Sequence, residues 1–187
     1  SNPLLSGTAK KHRSQSKLFV AFGERIGGPV NDECSGAISL ATNITCLPIT
    51  ANVSGATESL PAITCNGFTG DANDDVWFSF VATSASHDIE VTGGTGFYAV
   101  VEFFAGSCLG LTCLDCADAT LENETEIISA SGLTIGSTYY VRIYHWYPAI
   151  PLDPTFDICV IGGGGGPSPP NDDCSSVTFD PLSVGGS

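Results

Sequence analysis

Residues 74–91 read DDVWFSFVATSASHDIEV, and this stretch decides the fold class. Apolar side chains recur at every second position in 76–80 and again at Ile89 and Val91. A period of two is typical of a β-strand that places one face on a core. The same alternation returns in residues 139–143 and 156–160, and no stretch of the chain carries a sustained helical pattern. The sequence therefore predicts an all-β protein.

Turn-forming residues separate these segments. Clusters of glycine, proline, asparagine and aspartate occur at 70–75, 92–96 and 148–154, and such clusters mark turns. Segments 76–81 and 97–104 carry apolar residues on both faces, which fits strands that lie between two layers. We therefore predict roughly eight to ten short antiparallel strands in a two-sheet β-sandwich of jelly-roll type.

A short motif occurs twice, once near each end of the chain. PVNDECS at 29–35 returns as PNDDCS at 170–175. A start signal that recurs after one domain length indicates one module of an array, with the opening of the next module attached. We divide the chain into a basic N-terminal extension or linker (1–28), a β-sandwich module (29–161), a Gly/Pro hinge (162–170) and the start of the next repeat or a docking tail (171–187).

The charge is distributed unevenly between these parts. Residues 1–28, here called the basic head, hold five Lys or Arg residues and one acid, whereas residues 29–187 hold nineteen acids and Arg142 as their one base. An acidic surface repels phosphate backbones, so we do not expect the module to bind nucleic acid. No apolar stretch approaches the ~20 residues that cross a bilayer, so no transmembrane segment is expected.

Two terminal segments have strand-like composition. They are LFVAF at 18–22 and SVTF at 176–179. Either segment could add to the open edge of a neighbouring sandwich. A basic head and an acidic body favour head-to-tail contact, and a head-to-tail contact that does not close produces a fibre. We therefore predict copies of the chain or adjacent repeats as partners.

Five motifs combine in residues 29–160: PVNDECSGAISL, DDVWFSFVATSASHDIEV, FFAGSC, LTIGSTYYVRIY and FDICV. Together they resemble a repeat module of secreted, cell-surface proteins of the Bacteroidota, which are often exported by the type IX route. The module also resembles the prepeptidase C-terminal domain, a β-sandwich appended to secreted proteases and collagenases. The resemblance implies a β-sandwich fold and a secreted or cell-surface location, and it implies no specific activity.

Eight cysteines in a chain of this size indicate an oxidising compartment and a disulfide-braced fold. The resemblance places six of them in the module: Cys34, Cys46, Cys65, Cys108, Cys116 and Cys159. On this interpretation Cys108 and Cys116 would close a short loop, Cys46 and Cys65 a longer one, and Cys34 and Cys159 would join the two ends of the module.

The other two cysteines are Cys113 and Cys174, and Cys174 belongs to the second copy of the start motif. Our hypothesis is that Cys113 and Cys174 form a disulfide that joins the tail to a module. Residues 113–116 also form a C-x-x-C, which could serve zinc or redox chemistry. Neither a second C-x-x-C nor a nearby histidine completes a zinc set, so a disulfide role is favoured.

One acidic turn could bind a metal ion. Asp71, Asp74 and Asp75 are first candidates for a calcium site, because calcium takes oxygen ligands from turn loops of this composition. The alternative is a solvated turn whose side chains bond the local backbone.

An aromatic stripe follows the strand at 139–143. If Tyr139 and Val141 face inward, the opposite face carries Tyr140, Arg142, Tyr144 and Trp146. Three rings and a guanidinium could form a platform for sugar rings. The alternative is that these side chains pack under loops, or that Arg142 stacks on tyrosine as a structural cation–π pair.

Catalysis is not expected. The histidines are His12, His87 and His145, and neither a G-x-S-x-G nor an H-E-x-x-H motif is present. The sequence therefore favours an extracellular structural or adhesive repeat module, with a filament subunit that associates through its terminal segments as one form. The alternatives are a carbohydrate-binding module, or a non-catalytic accessory domain of a secreted protease.

Overall fold

The computed structural model describes residues 28–162, which form twelve strands and one short 3-10 helix. The helix is Cys34–Gly36, and the strands are β1 (Ile38–Ser39), β2 (Thr42–Asn43), β3 (Ile49–Asn52), β4 (Thr64–Cys65), β5 (Phe68–Thr69), β6 (Val76–Val81), β7 (Ser86–Gly93), β8 (Ala99–Ser107), β9 (Gly110–Ala117), β10 (Thr125–Ser131), β11 (Thr138–His145) and β12 (Thr155–Gly162). Within the described residues, no helix is long and apolar enough to cross a membrane.

Two sheets face each other, and the predicted all-β, jelly-roll-like sandwich is confirmed. Sheet A has the strand order β1-β6-β11-β8-β9. Sheet B has the order β10-β7-β12-β2, with β3 also paired to β12, and β4 and β5 form a separate small sheet. The long strands pair antiparallel, but β1 lies parallel to β6 and β2 lies parallel to β12. Purely antiparallel pairing was therefore wrong at these two short strands, where the chain passes from sheet A to sheet B within residues 38–43.

The layer between the sheets contains the positions that the period of two predicted, together with Val101 and Phe103 from the two-sided segment 97–104. We call it the apolar layer. Its main side chains are Val76, Phe78, Phe80, Ile89, Val91, Val101, Phe103, Tyr139, Val141, Ile143, Phe156, Ile158 and Val160. Phe78 and Phe156 meet edge to face across the two sheets, with ring centroids 5.8 Å apart. Each such large side chain contributes about 1.5–3 kcal/mol through its burial, so this layer holds the two sheets together.

The outer faces of the two sheets differ. On sheet B the outward side chains of β10 are exposed, including Ile127 and Ser129. On sheet A the outward side chains of Trp77 and Tyr144 are fully buried. Residues 57–63, here called the covering segment, cross this face without regular secondary structure and bond to its side chains. The centre of sheet A is therefore buried on both faces.

Three disulfides brace the sandwich, and all three predicted pairings within the module are wrong. The structure joins Cys34 to Cys108, Cys46 to Cys159, and Cys65 to Cys116. Cys159 alternates with the core residues Ile158 and Val160, so its side chain lies on the outer face of sheet B.

Strand geometry explains why the predicted partners do not meet. Cys34 lies near Trp77 on the outer face of sheet A, which the ~10 Å sheet-to-sheet distance separates from Cys159. Cys65 is bonded to β9 of sheet A, whereas Cys46 is bonded to sheet B. Cys108 and Cys116 belong to one hairpin, but Cys116 lies six residues beyond Gly110, which is roughly 20 Å of extended strand.

Several predictions fall outside the described residues. These are the predictions for residues 1–27 of the basic head, for the hinge beyond Gly162, for the second start motif with Cys174, and for the segments at 18–22 and 176–179. The division of the chain into head, module, hinge and tail, and the Cys113–Cys174 bond, therefore stay predictions.

Candidate functional site

Arg142 is placed at the centre of sheet A by strand register. It lies in the middle of β11, directly opposite Trp77 on β6 and Glu102 on β8. Directly opposite residues share a face of the sheet, so the three side chains meet on the outer face, beneath the covering segment. The relative exposure of Arg142 is 0%, and Glu102 is equally buried.

Every donor of the Arg142 guanidinium has an acceptor. Its Nε donates to Asp75 at 2.9 Å, and its Nη1 donates to Glu102 at 3.1 Å and to the Pro61 carbonyl at 3.2 Å. Its Nη2 donates to Asp75 and to the Leu60 carbonyl. Because arginine carries five N–H donors, the side chain is fully satisfied, with three bonds to carboxylates and two to backbone carbonyls of the covering segment.

Asp75 connects Arg142 to a second part of the covering segment. Its carboxylate accepts the Ser59 backbone N–H at 3.0 Å and the Ser59 hydroxyl at 2.7 Å. The Ser59 hydroxyl oxygen in turn accepts the indole N–H of Trp77 at 2.8 Å. A buried carboxylate needs such partners, since an unpaired charge in the interior is costly.

Glu102 completes the group on the other side of Arg142. It accepts the Tyr144 hydroxyl at 2.9 Å and lies 3.5 Å from the Ile63 backbone nitrogen. Burial raises the pKa of Tyr144, and the adjacent Glu102 carboxylate raises it further, so the phenol stays a neutral donor. We call Asp75, Glu102, Arg142 and Tyr144 the ion cluster.

The predicted sugar platform is wrong for Arg142 and Tyr144, because neither side chain reaches the surface. The guanidinium carbon lies 5.1 Å from the Tyr144 ring centroid and 5.9 Å from that of Trp77. This is the packing under a loop, with a structural cation–π pair, that the sequence offered as the alternative. Tyr140 and Trp146 are half-buried.

The predicted calcium ligands are not brought together. Asp75 is bound to Arg142, while Asp74 accepts the backbone N–H of His145 at 3.0 Å. Adjacent residues of an extended chain point to opposite sides, so the carboxylates of Asp74 and Asp75 point away from each other. The prediction of Asp75 as a calcium ligand was therefore wrong. Burial raises the pKa of Asp74 to about 6, and the negative charges of Asp75 and Asp71 raise it as well. Calcium binding by Asp71 and Asp74 stays a prediction.

Within residues 28–162, three residues of metal-binding types lie close together. They are Cys46, Glu90 and Cys159. Both sulfurs are joined in a disulfide. A disulfide sulfur is not the thiolate that binds metals, so this group cannot act as a metal centre while the bond is intact.

Four loops meet at one end of the sandwich, which we call the loop end. They are residues 70–75, 94–98, 118–124 and 146–154. The Asp71 N–H donates to the Trp146 carbonyl at 2.9 Å, and the Asn73 amide donates to the Pro148 carbonyl at 2.9 Å. The Asp153 N–H donates to the Thr95 carbonyl at 3.0 Å. Main-chain bonds therefore tie the loops to each other.

The loop end also carries exposed apolar side chains. Phe68, Tyr147, Ile150 and Leu152 are exposed there, and Phe68 contacts Trp146 edge to face at 6.3 Å. A Cβ at Gly70 would lie 2.8 Å from a ring carbon of Trp146, so glycine is what allows the indole to lie against the backbone. Exposed apolar side chains at the end of a domain are candidates for an interaction site.

Both described histidines accept hydrogen bonds from backbone N–H groups. His87 Nε2 accepts the Thr83 N–H at 3.0 Å, and His145 Nδ1 accepts the Tyr98 N–H at 3.1 Å. His87 Nδ1 also lies 3.0 Å from the Ser84 hydroxyl, but it is within 2.5 Å of the Ser86 carbonyl. With Nε2 accepting, Nδ1 carries the proton and cannot accept one from Ser84. Burial lowers the pKa of both rings.

The architecture agrees with a comparison to known families. The model of a type IX secretion-associated family, described as galactose binding domain-like, matches residues 30–158. The chain belongs to this family. No curated protein matches it. Among solved structures it is similar to the pre-peptidase C-terminal domain of collagenase from Bacillus anthracis, with 15% identity, a TM-score of 0.43, and coverage of 66% of this chain and 93% of that one. A likeness at that level supports no statement about function.

Membership of the galactose binding domain-like family fits the chemistry of the chain. Together with three disulfides, it indicates an extracellular or cell-surface protein. The predicted C-x-x-C is divided in this domain, because Cys116 is bonded to Cys65 while Cys113 has no disulfide partner among residues 28–162. Burial raises the pKa of the Cys113 thiol, and the negative charge of Glu102 raises it further.

Sequence reasoning missed Glu102 and Ser59. The signal for Glu102 was available, since it is the single charge in the strand AVVEFF at 99–104, and Arg142 is the single base of the domain. Lone opposite charges in two apolar strands indicate a buried pair, because an isolated charge would not be tolerated there. Nothing in the sequence marks Ser59, since its role depends on where the irregular covering segment crosses the sheet.

Proposed function

We propose that this galactose binding domain-like chain is a non-catalytic structural or adhesive module of a surface protein, and that it assembles with copies of itself or with adjacent repeats. The observation that carries the proposal is the ion cluster. Arg142, which could have bound a ligand, is instead fully used in fastening the covering segment to sheet A. The charged and polar groups on this face of sheet A therefore stabilise the fold.

The disulfides support the same role. Cys34–Cys108 and Cys65–Cys116 both fix material over the outer face of sheet A, and Cys46–Cys159 fixes the β2–β3 loop to sheet B. Each closes a large loop of the chain, and such bonds typically contribute about 2–4 kcal/mol each by restricting the unfolded state. A passive building block outside the cell benefits from that resistance to unfolding.

The test is the size distribution of the purified full chain. Sedimentation velocity over a range of concentrations, with negative-stain images, should show concentration-dependent polymers. The full chain is compared first with a variant that lacks residues 1–27, and then with a variant that lacks residues 163–187. A full chain that stays monomeric at every concentration, and binds no surface component, would contradict the proposal.

A second candidate function is carbohydrate binding at the loop end. The observation that favours it is that the rings of Phe68 and Tyr147 are exposed at this end, and that Phe68 lies edge to face against the half-buried Trp146. Sugar rings pack their apolar faces on such rings. Glycan-array binding that is lost in Tyr147→Ala and Trp146→Ala, and kept in the control Leu109→Ala at the opposite end, would establish it. Equal binding by all three variants would exclude this site.

A further inference from the structure

A groove opens along one side of the sandwich, between β9 of sheet A and β10 of sheet B. Its volume is about 390 Å³. Its floor is formed by the buried side chains Phe103, Ala130, Leu133 and Tyr139, and its rim carries Leu114 and Asp115 on β9 and Ser131 on β10. The groove thus gives access to the edge of the apolar layer.

Both walls of the groove are sheet edges. Within residues 28–162, β9 pairs only with β8 and β10 pairs only with β7. Each wall therefore offers a row of unpaired main-chain groups, to which a further strand can bond. The register of β9 shifts at Leu114, which has no partner on β8, and its half-exposed side chain lies on the rim. An occupant in extended conformation would gain main-chain bonds and apolar contacts together.

Charge selects among possible occupants. Arg142 is the only Lys or Arg within residues 28–162, and it is fully buried. The described surface therefore presents carboxylates and neither of these bases, and Asp115 lies on the groove rim. A partner with apolar alternation and flanking positive charge fits such a surface best.

The chain itself contains a segment of this chemistry. Residues 18–22 (LFVAF) follow Lys10, Lys11, Arg13 and Lys17, and Arg25 comes three residues later. The other strand-like segment, SVTF at 176–179, lies between Asp172 and Asp173 on one side and Asp180 on the other. The acidic segment would be repelled where the basic one is attracted.

We propose that the groove between β9 and β10 binds residues 18–22 of a second copy of this chain. The proposal rests on the assembly role given above and names its contact. The described chain begins at Gly28, beside Asp32, and Asn31 bonds to Trp77 of β6. In sheet A, β6 is separated from β9 by β11 and β8. Gly28 and the groove are therefore separated across sheet A, so a contact between the groove and the residues that precede Gly28 in a second copy would be heterologous, and a heterologous contact that does not close produces a fibre.

Two complementary variants of the full chain test the contact. Phe19→Asp damages the donor segment and leaves the groove intact, whereas Leu114→Lys damages the groove and leaves the donor intact. Each should raise the dissociation constant for self-association by about 100-fold in sedimentation velocity. Their equimolar mixture should form dimers and no larger species, since one intact donor and one intact groove remain.

Matched controls separate the contact from general charge effects. Leu109→Lys places the same charge on the exposed β8–β9 turn outside the groove, and Phe179→Asp places the charge of the donor variant in the tail. Both should associate like the wild type. Ser131→Lys, on the exposed β10 rim, repeats the groove test in case Leu114→Lys fails to fold.

The outcomes distinguish this contact from the assembly role. If Leu114→Lys and Ser131→Lys both form polymers as the wild type does, the proposed groove contact would be overturned. Assembly would then use another surface. Loss of association in Phe179→Asp but not in Phe19→Asp would assign the groove to the tail and overturn our choice. A mixture that stays monomeric would overturn docking between copies, and a wild type that never associates would overturn both proposals.

Discussion

The centre of sheet A is buried on both faces, but the two faces are buried by different chemistry. Toward sheet B, β11 contributes Val141 and Ile143 to the apolar layer. On the other side, the same strand contributes Arg142 and Tyr144 to the ion cluster, where hydrogen bonds to carboxylates and to the covering segment take the place of apolar contacts. Alternate residues of one strand therefore belong to two layers with different physics.

The two layers respond differently to the substitution of a side chain. Apolar packing is the sum of many small contacts, so it weakens in proportion to the atoms removed. A buried charge group depends on every partner, since removal of one leaves the others desolvated and unpaired. We expect single substitutions in β11 to separate the two layers clearly.

The largest effect is expected for Arg142→Met. This change leaves Asp75 and Glu102 buried without their counter-charge, and it should lower the free energy of unfolding by about 3–5 kcal/mol in urea denaturation. Ile143→Val, one residue along on the apolar face, should cost only about 0.5–1.5 kcal/mol.

The same pair of layers predicts a rescue. Adding Asp75→Leu and Glu102→Leu to Arg142→Met removes the orphaned charges, so it should recover part of the lost stability, while Ser59 and Tyr144 lose the carboxylates that accept their hydrogen bonds. A loss below about 1 kcal/mol in the single variant would mean that water reaches the cluster and compensates it.

The next largest effect concerns the Cys65–Cys116 bond, which ends the covering segment at β9. Cys65→Ser with Cys116→Ser should lower the free energy of unfolding by about 2–4 kcal/mol. Because Trp77 lies under this segment, its fluorescence should also shift toward that of an exposed indole, measured in a Trp146→Phe background. Removing Cys46–Cys159 from sheet B is the control: it should destabilise the domain without moving the Trp77 emission.

A smaller, pH-dependent effect is expected at Asp74, next to the ion cluster. Its pKa is raised from 3.8 to about 6, mainly by burial. The folded state therefore holds this proton more tightly than the unfolded state, and the stability gained is complete below pH 3.8 and lost as the pH rises through about 6. The loss is roughly 3 kcal/mol.

Asp74→Asn isolates that effect, because an amide cannot ionise and can still accept the His145 N–H. The stability of the variant relative to the wild type should rise between about pH 4 and pH 7 in urea denaturation. Parallel curves for the two proteins would show that Asp74 titrates normally.

The two layers also differ in how far the sequence predicted them. The alternation in 76–80, 89–91, 139–143 and 156–160 identified the apolar layer, since burial by one face leaves a period of two in the chain. Arg142 and Tyr144 also lie at every second position of β11, but their side chains are polar. Polar side chains at this spacing are equally typical of a sheet face that is exposed to solvent. Only the path of the covering segment distinguishes a buried polar face from an open one, and that path has no repeating pattern to detect.

The disulfides failed for a related reason. Spacing along the chain says which cysteines are near in sequence, whereas pairing depends on which face of which sheet each side chain occupies. Cys159 lies on the outer face of sheet B, so it pairs with Cys46. Cys174 occupies the position of Cys34 in the second start motif, outside the described residues, and its predicted bond to Cys113 stays a prediction.

The central claim is that Arg142 is an internal structural group. Exchange of arginine side-chain protons with water, followed by nuclear magnetic resonance on the full chain, tests it most directly. We predict one Nε proton, absent from Arg142→Met, whose exchange requires an opening close to global unfolding. If every arginine Nε proton exchanged as rapidly as in a free peptide, the guanidinium would be open to water and the account would be contradicted.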